Sequence, residues 1–447
     1  MIPKEVVKEA IASGFDEALV TRSNHTVCYL KIANSKVDSV VETSGQSGMM
    51  FLSSKKRVFF TNLERFDSAY IRSKIENSKH LIAMQAEKKD YNGLAEGPFK
   101  YGAQQKYSRR IENYTIDEIA DMAYSAINSA LAEGAQSVAG TLTIGYSKDE
   151  LATSKSIEAE SRSSRLSMSL RAMTKNVALQ QEEVSRDMDI DMAKLGKRVA
   201  STATGVKKTG KISDGTYDII YMPAAGGSLL SNINAMACAG SIETGSFLSG
   251  KIGNFVANRG ITIYDDGLSS NLVSSSPFDA EGYPSQKTVL VKGGILKTYL
   301  HNYSTAIKYK TKSTGNAGLV EPSPNTLVFE HRNRVSDLDK LISGVKKGVL
   351  VSSTWYTRFS NYLTGDFSTV PRDMSLYIED GEPKFAIRQT GISAMVGIRI
   401  NDNIIRMAKN TLLAANDAIQ TTSWDSGAYY VMPSILVKGV RVTTAMA

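Results

Sequence analysis

Residues Tyr217 to Gly253 read YDIIYMPAAGGSLLSNINAMACAGSIETGSFLSGKIG, and the fold turns on how this stretch is parsed. Asp218 to Met222 is a short apolar run of strand length, closed by Pro223 and Gly226-Gly227. Ser228 then stands at a helix N-cap position, and Leu229, Leu230, Ile233, Met236 and Ala237 recur at helical spacing up to a stop at Gly240. This is the grammar of a strand, a glycine turn and a helix. Ser231, Asn234, Ala235 and Cys238 face away from the apolar stripe.

Upstream, residues 4–13 pattern as a helix with Val6, Val7, Ala10 and Ile11 as its buried stripe. From about 16 to 62, TVCYLKIA, KVDSVVET, SGMMFLSS and RVFFTNL are separated by Asn34-Ser35, Ser44-Gly45 and the Ser53–Lys56 turn, which predicts an antiparallel meander. Helices follow at 66–87 and at 116–133, the second opened by the capping box Thr115-x-x-Glu118. Between them, Lys88 to Arg110 is polar and aromatic without periodicity and reads as an ordered surface loop. Its tyrosines can pack onto the domain or grip a peptide. Further strands alternate from 138 to 185. Asp187-x-Asp189-x-Asp191 lacks the glycine and glutamate of a calcium loop and is read as opening a helix.

A chain of 447 residues is expected to divide into domains, here 1–204 (α+β, mixed or antiparallel sheet) and 216–447 (strand-rich, barrel-like), joined by the linker GVKKTGKISDG at 205–215. The fold class expected is α+β. No apolar run reaches the roughly 18 residues of a membrane helix. Charges within MIPKEVVKEA argue against a secretory leader, so a cytoplasmic protein without a membrane partner is expected. The net charge of +8 is scattered in short clusters with no basic stripe or reading motif, which argues against nucleic acid. Cys28 and Cys238 form no disulfide framework and read as small buried hydrophobes. His301 and His331 have no second ligand at metal spacing and read as structural.

The central stretch resembles the TldD/PmbA family, and further landmarks fall in order after it. They are Asp265-Asp266-Gly267, Phe278-Asp279-x-Glu281-Gly282-x-Pro284, Thr314-Gly315-Asn316-Ala317 and Thr364-Gly365-Asp366-Phe367-Ser368. In the TldD branch this helix carries a zinc motif, His-Glu-x-x-x-His. The resemblance places that motif on Ser231-Asn232-Ile233-Asn234-Ala235-Met236, and no cysteine follows Cys238 where the zinc branch takes one as ligand. The chain therefore resembles the PmbA (TldE) branch, with Ser231, Asn232 and Met236 as degenerate motif positions, no catalytic residue and no metal or cofactor of its own.

The resemblance implies pairing with a TldD-like subunit that holds the zinc, to form an intracellular peptidase acting on unfolded or short peptides. It also allows a homodimer in isolation. A motif pair five residues apart lies about 140° apart on an ideal helix, so a zinc-bearing version must distort the helix or use its end. Two other readings stay open. One is a self-sufficient peptidase using Ser231 or the carboxylates Asp279 and Glu281. The other is a non-enzymatic binding or regulatory protein.

Overall fold

The computed structural model describes every residue except 103–105, 319–320, 391–394, 423–427 and 445–447. Its N-terminal half runs α1 (Pro3–Ala12), β1 (Glu17–Ala33), β2 (Lys36–Ser54), β3 (Arg57–Leu63) and α2 (Ser68–Ala83). The same order then recurs: α3 (Ile116–Ala132), β4 (Ser137–Thr153), β5 (Glu158–Met173), β6 (Ala178–Ser185) and α4 (Met192–Thr204). The six strands form one antiparallel sheet, β3-β2-β1-β4-β5-β6.

The centre of this sheet is a pseudo-two-fold. Thr26 pairs with Tyr146, while Leu19 faces Thr153 and Ile32 faces Gly140, so each end of β1 meets the opposite end of β4. The helices cover the face bearing Val20, Leu30, Ile32, Leu142 and Ile144. Leu19, Phe51 and Leu151 point the other way, onto Phe278 of the C-terminal half.

Several local signals acted as read. The Thr115–Glu118 capping box is formed, and Asp191 caps α4 by accepting from the Lys194 amide (2.9 Å). Ser44-Gly45, read as a turn, instead lies inside the single long strand β2, because continuous pairing with β1 outweighs the local glycine signal.

In the C-terminal half, β7 (Gly215–Tyr221) leads into α5 (Pro223–Met236). There follow β8 (Ile261–Asp266), β9 (Lys287–Lys292), β10 (Thr326–His331), β11 (Lys347–Asn361), β12 (Asp366–Glu379), β13 (Ile398–Asn403), β14 (Ile419–Thr422), β15 (Tyr429–Met432) and β16 (Ile435–Thr444). Strands β7, β11, β12, β13 and β16 close into a five-stranded barrel. Only the β7–β11 seam of that ring is parallel. Strands β9, β8, β10, β15 and β14 form a second sheet in that order. The chain is thus α+β and strand-rich, as its sequence predicts.

Helix α5 lies between the barrel and the second sheet: Leu229, Leu230 and Ile233 share one core with Val349 and Val351 on one side and Ile263, Leu327 and Phe329 on the other. Ten of its fourteen residues are buried, which makes it a core helix with no solvent face of ordinary width.

The glycine turn expected between β7 and α5 is absent. The helix begins at Pro223, whose missing N–H and fixed φ suit the first helical position, and Gly226 and Gly227 are helical. Gly227 is required by packing, since a Cβ there would lie 2.1 Å from the Tyr430 ring. The helix also stops at Met236, four residues before Gly240.

Candidate functional site

The end of α5 opens onto a cavity of about 340 Å³. Ser231, Asn232 and Met236 all line it, with Asn325 beside them and Phe359, Tyr362 and Tyr429 opposite. The helix stays regular through Met236 and breaks at Ala237-Cys238, so Ser231 and Met236 reach a common cavity by use of the helix end, without a widened turn.

The side chains at the three motif positions are a hydroxyl, a carboxamide and a thioether. Ser231 Oγ donates to the Ser228 carbonyl (3.2 Å), and Asn232 Nδ2 donates to the carbonyls of Ser228 (3.1 Å) and Leu229 (2.9 Å). Two of the three are therefore turned back onto their own helix. Such a donor set does not suit zinc, which takes imidazole, thiolate or carboxylate. Among the described residues no three His, Cys, Asp or Glu side chains converge on a metal position.

Beneath the cavity floor lies Asp265, fully buried on β8. It accepts hydrogen bonds from Asn234 Nδ2 (3.3 Å), Asn316 Nδ2 (2.7 Å), Asn325 Nδ2 (3.0 Å) and the Asn325 amide (2.8 Å). Burial pushes its carboxyl up to about 6, against the pull of these donors. Asp265 was legible only as part of the Asp265-Asp266-Gly267 landmark, yet it ties α5, through Asn234, to the two loops carrying Asn316 and Asn325. Asparagines at 234, 316 and 325 were the available sign of a buried carboxylate needing neutral donors.

The opposite wall is aromatic. Phe359 and Tyr362 stack at 5.0 Å, Phe359 stacks in turn on buried Phe247, and Tyr362 is 53% exposed. Tyr429 is held by Arg165 of the N-terminal sheet, whose Nη1 donates to its hydroxyl (2.6 Å). Arg358 supplies a cation at the rim. Tyr430, next in sequence, lies under Gly227 and donates to the Ala224 carbonyl (3.1 Å).

Asp279 and Glu281 lie elsewhere, in the loop that meets the N-terminal sheet. Asp279 Oδ1 accepts from the amides of Glu281 (3.0 Å) and Tyr283 (2.9 Å), and its Oδ2 from the Ala317 amide (2.9 Å), which makes it the organiser of that loop. Glu281 accepts from the Tyr303 amide (3.1 Å), and burial, then the Asp279 charge, push its carboxyl up to about 8. Gly282 follows at φ +78, where a Cβ would strike Ile157 at 2.7 Å. The tyrosine-rich segment packs on this loop: Tyr101 donates to the Gly282 carbonyl (2.8 Å), and Phe99 meets Tyr283 edge-on at 5.0 Å. Of its two expected uses, this is the packing one.

The remaining candidates sit in the core. His301 and His331 are buried, and burial lowers His301 to about 4, so it stays neutral. Both cysteines are buried free thiols, Cys238 raised to about 12 by burial, then by the charges of Asp265 and Glu321.

Residues 214–444 match the family model of the PmbA/TldA metallopeptidase C-terminal domain. An uncharacterized protein of Methanocaldococcus jannaschii is 38% identical over 144 residues, which is 31% of this chain and 32% of that protein. A Haemophilus influenzae metalloprotease PmbA homolog is 26% identical over 264 residues, covering 58% of this chain and 53% of its own length. These matches span about a third to a half of the relatives' lengths. Among solved structures, TldE from Thermococcus kodakarensis superposes with a TM-score of 0.82 at 18% identity, over 98% of this chain and 99% of its own.

Proposed function

The chain belongs to the PmbA/TldD family, and from that premise we propose that it is a TldE/PmbA-type subunit that holds peptide without cutting it. It pairs with a zinc-bearing TldD-like subunit, and the pair acts inside the cell on unfolded or short peptides. The division into 1–204 and 216–447 around the linker 205–215, and a homodimer in isolation, belong to the same proposal.

The observation that carries this reading is the cavity at the end of α5, whose helix wall offers Ser231, Asn232 and Met236 where a zinc subunit has its ligands and base. Without those donors the wall can orient a peptide but has no group to activate water. Ser231 is an unsuitable nucleophile as placed, because its proton is committed to the Ser228 carbonyl. The stacked rings of Phe359 and Tyr362, with Tyr429, offer flat apolar surface to a side chain, and Arg358 offers a charge for a peptide carboxylate. A partner is needed for chemistry, since this wall is one side of a reaction chamber. No described helix is long and apolar enough to cross a membrane.

The test is metal content and cleavage of an unfolded peptide, for this chain alone and then mixed with a TldD-like zinc subunit. Activity appearing in the mixture alone, with no stoichiometric zinc in the pure chain, is the expected result. Zinc and cleavage in the pure chain would overturn it.

A further inference from the structure

A second cavity, of about 80 Å³, lies where the N-terminal sheet meets the loop of residues 278–284. One side is apolar, built from Leu19, Met49, Phe51 and Leu94. The other carries four carboxylates, Asp90, Glu243, Glu281 and Glu321, and two ammonium groups, Lys88 and Lys308.

The cations are already committed. Lys308 Nζ bridges Asp90 (2.5 Å) and Glu243 (3.0 Å), and Lys88 Nζ reaches Glu321 (3.6 Å). Glu281 is the carboxylate left over. It is 8% exposed and has no cationic partner among the described residues. Its Oε2 accepts from the Tyr303 amide, while Oε1 takes no hydrogen bond among the described residues. A charged carboxylate so deeply buried is costly unless it takes up a proton or a positive charge answers it.

We propose that this cavity is a binding site for a primary ammonium carried on a short aliphatic chain, with Glu281 as its counter-ion and the Leu19–Phe51–Leu94 wall holding the chain. The volume fits roughly three or four non-hydrogen atoms, scaled from a cavity of about 150 Å³ that holds benzene. A divalent metal is a poorer occupant. It needs six or more oxygens, and three of the four carboxylates are bound to lysines. The site is independent of the peptide-holding role of the α5 cavity.

The test is calorimetric titration of the full chain with n-propylammonium chloride and with 1-propanol, above pH 8, where Glu281 is ionised. The ammonium should bind at least about tenfold more tightly than its neutral isostere. Glu281→Gln should lose that preference while keeping the weak affinity for propanol. Equal binding of the two ligands, no saturable binding of either, or an unchanged preference in folded Glu281→Gln would each overturn the proposal. The wild-type comparison decides the matter alone if the variant does not fold.

Discussion

One side of α5 is pressed between two sheets so closely that a single added carbon at Gly227 would lie 2.1 Å from the Tyr430 ring. Further along the same helix, Ser231, Asn232 and Met236 line a cavity of about 340 Å³. Within one fourteen-residue helix, then, identity is dictated by contact at one position and left open by space at another. On the packed side the backbone requires its residue. Where the helix lines the cavity, open space leaves the side chain less constrained by contact.

Three changes can break or sharpen that contrast. The largest effect is expected on the packed side. Gly227→Ala forces either α5 or Tyr430 to move, and should cost about 3 kcal/mol or prevent folding altogether. Urea denaturation would read it. A loss under about 1 kcal/mol would mean the sheets yield more easily than interior packing normally allows.

The second change asks whether any cavity wall is permissive or only an uncharged one. Glu281 also faces a cavity, but as a buried carboxyl whose folded value, about 8, lies above the ordinary 4.5. A raised carboxyl favours the folded state while protonated. Its contribution is complete below about pH 4.5 and is lost as the pH rises towards 8. Glu281→Gln keeps the shape and removes the charge. The variant should gain on wild type by roughly 2–4 kcal/mol across that window, measured as the difference in unfolding free energy against pH. Parallel pH profiles would refute it.

The smallest effect is expected at the α5 cavity itself. Ser231→Ala and Asn232→Ala remove only hydrogen bonds returned to their own helix and should each shift stability by about 0.5 kcal/mol or less. Thermal unfolding would check it. A loss of several degrees would place both residues in the architecture.

Much of this helix could be read from its residues, because apolar spacing at Leu229, Leu230 and Ile233 survives any context. Its start could not. Gly226-Gly227 is an ordinary turn signal, and only the distant Tyr430 converts it into a packing requirement. Ser44-Gly45 misled in the same way, since pairing with residues twenty positions away keeps that segment extended.

The candidate site divided likewise. Ser231, Asn232 and Met236 were found by resemblance and do share a cavity, whereas the aromatic wall opposite comes from residues more than a hundred positions later. Asp265 was missed because a buried carboxylate is recognised by its donors, which lie on three separate segments. The repeat in the N-terminal half was missed too. Its copies share the order of elements and the positive-φ glycines Gly14 and Gly134, while their helices differ in length.

That repeat decides which edges of the sheet are covered. Because β1 and β4 meet about a pseudo-dyad, neither copy has a complete sheet without the other; the innermost edge of each is filled by its twin. One copy standing alone would present a bare central edge, open to pairing with another strand. Joined in one chain, each copy closes the edge of the other, so the sheet is left with β3 and β6 as its outer strands.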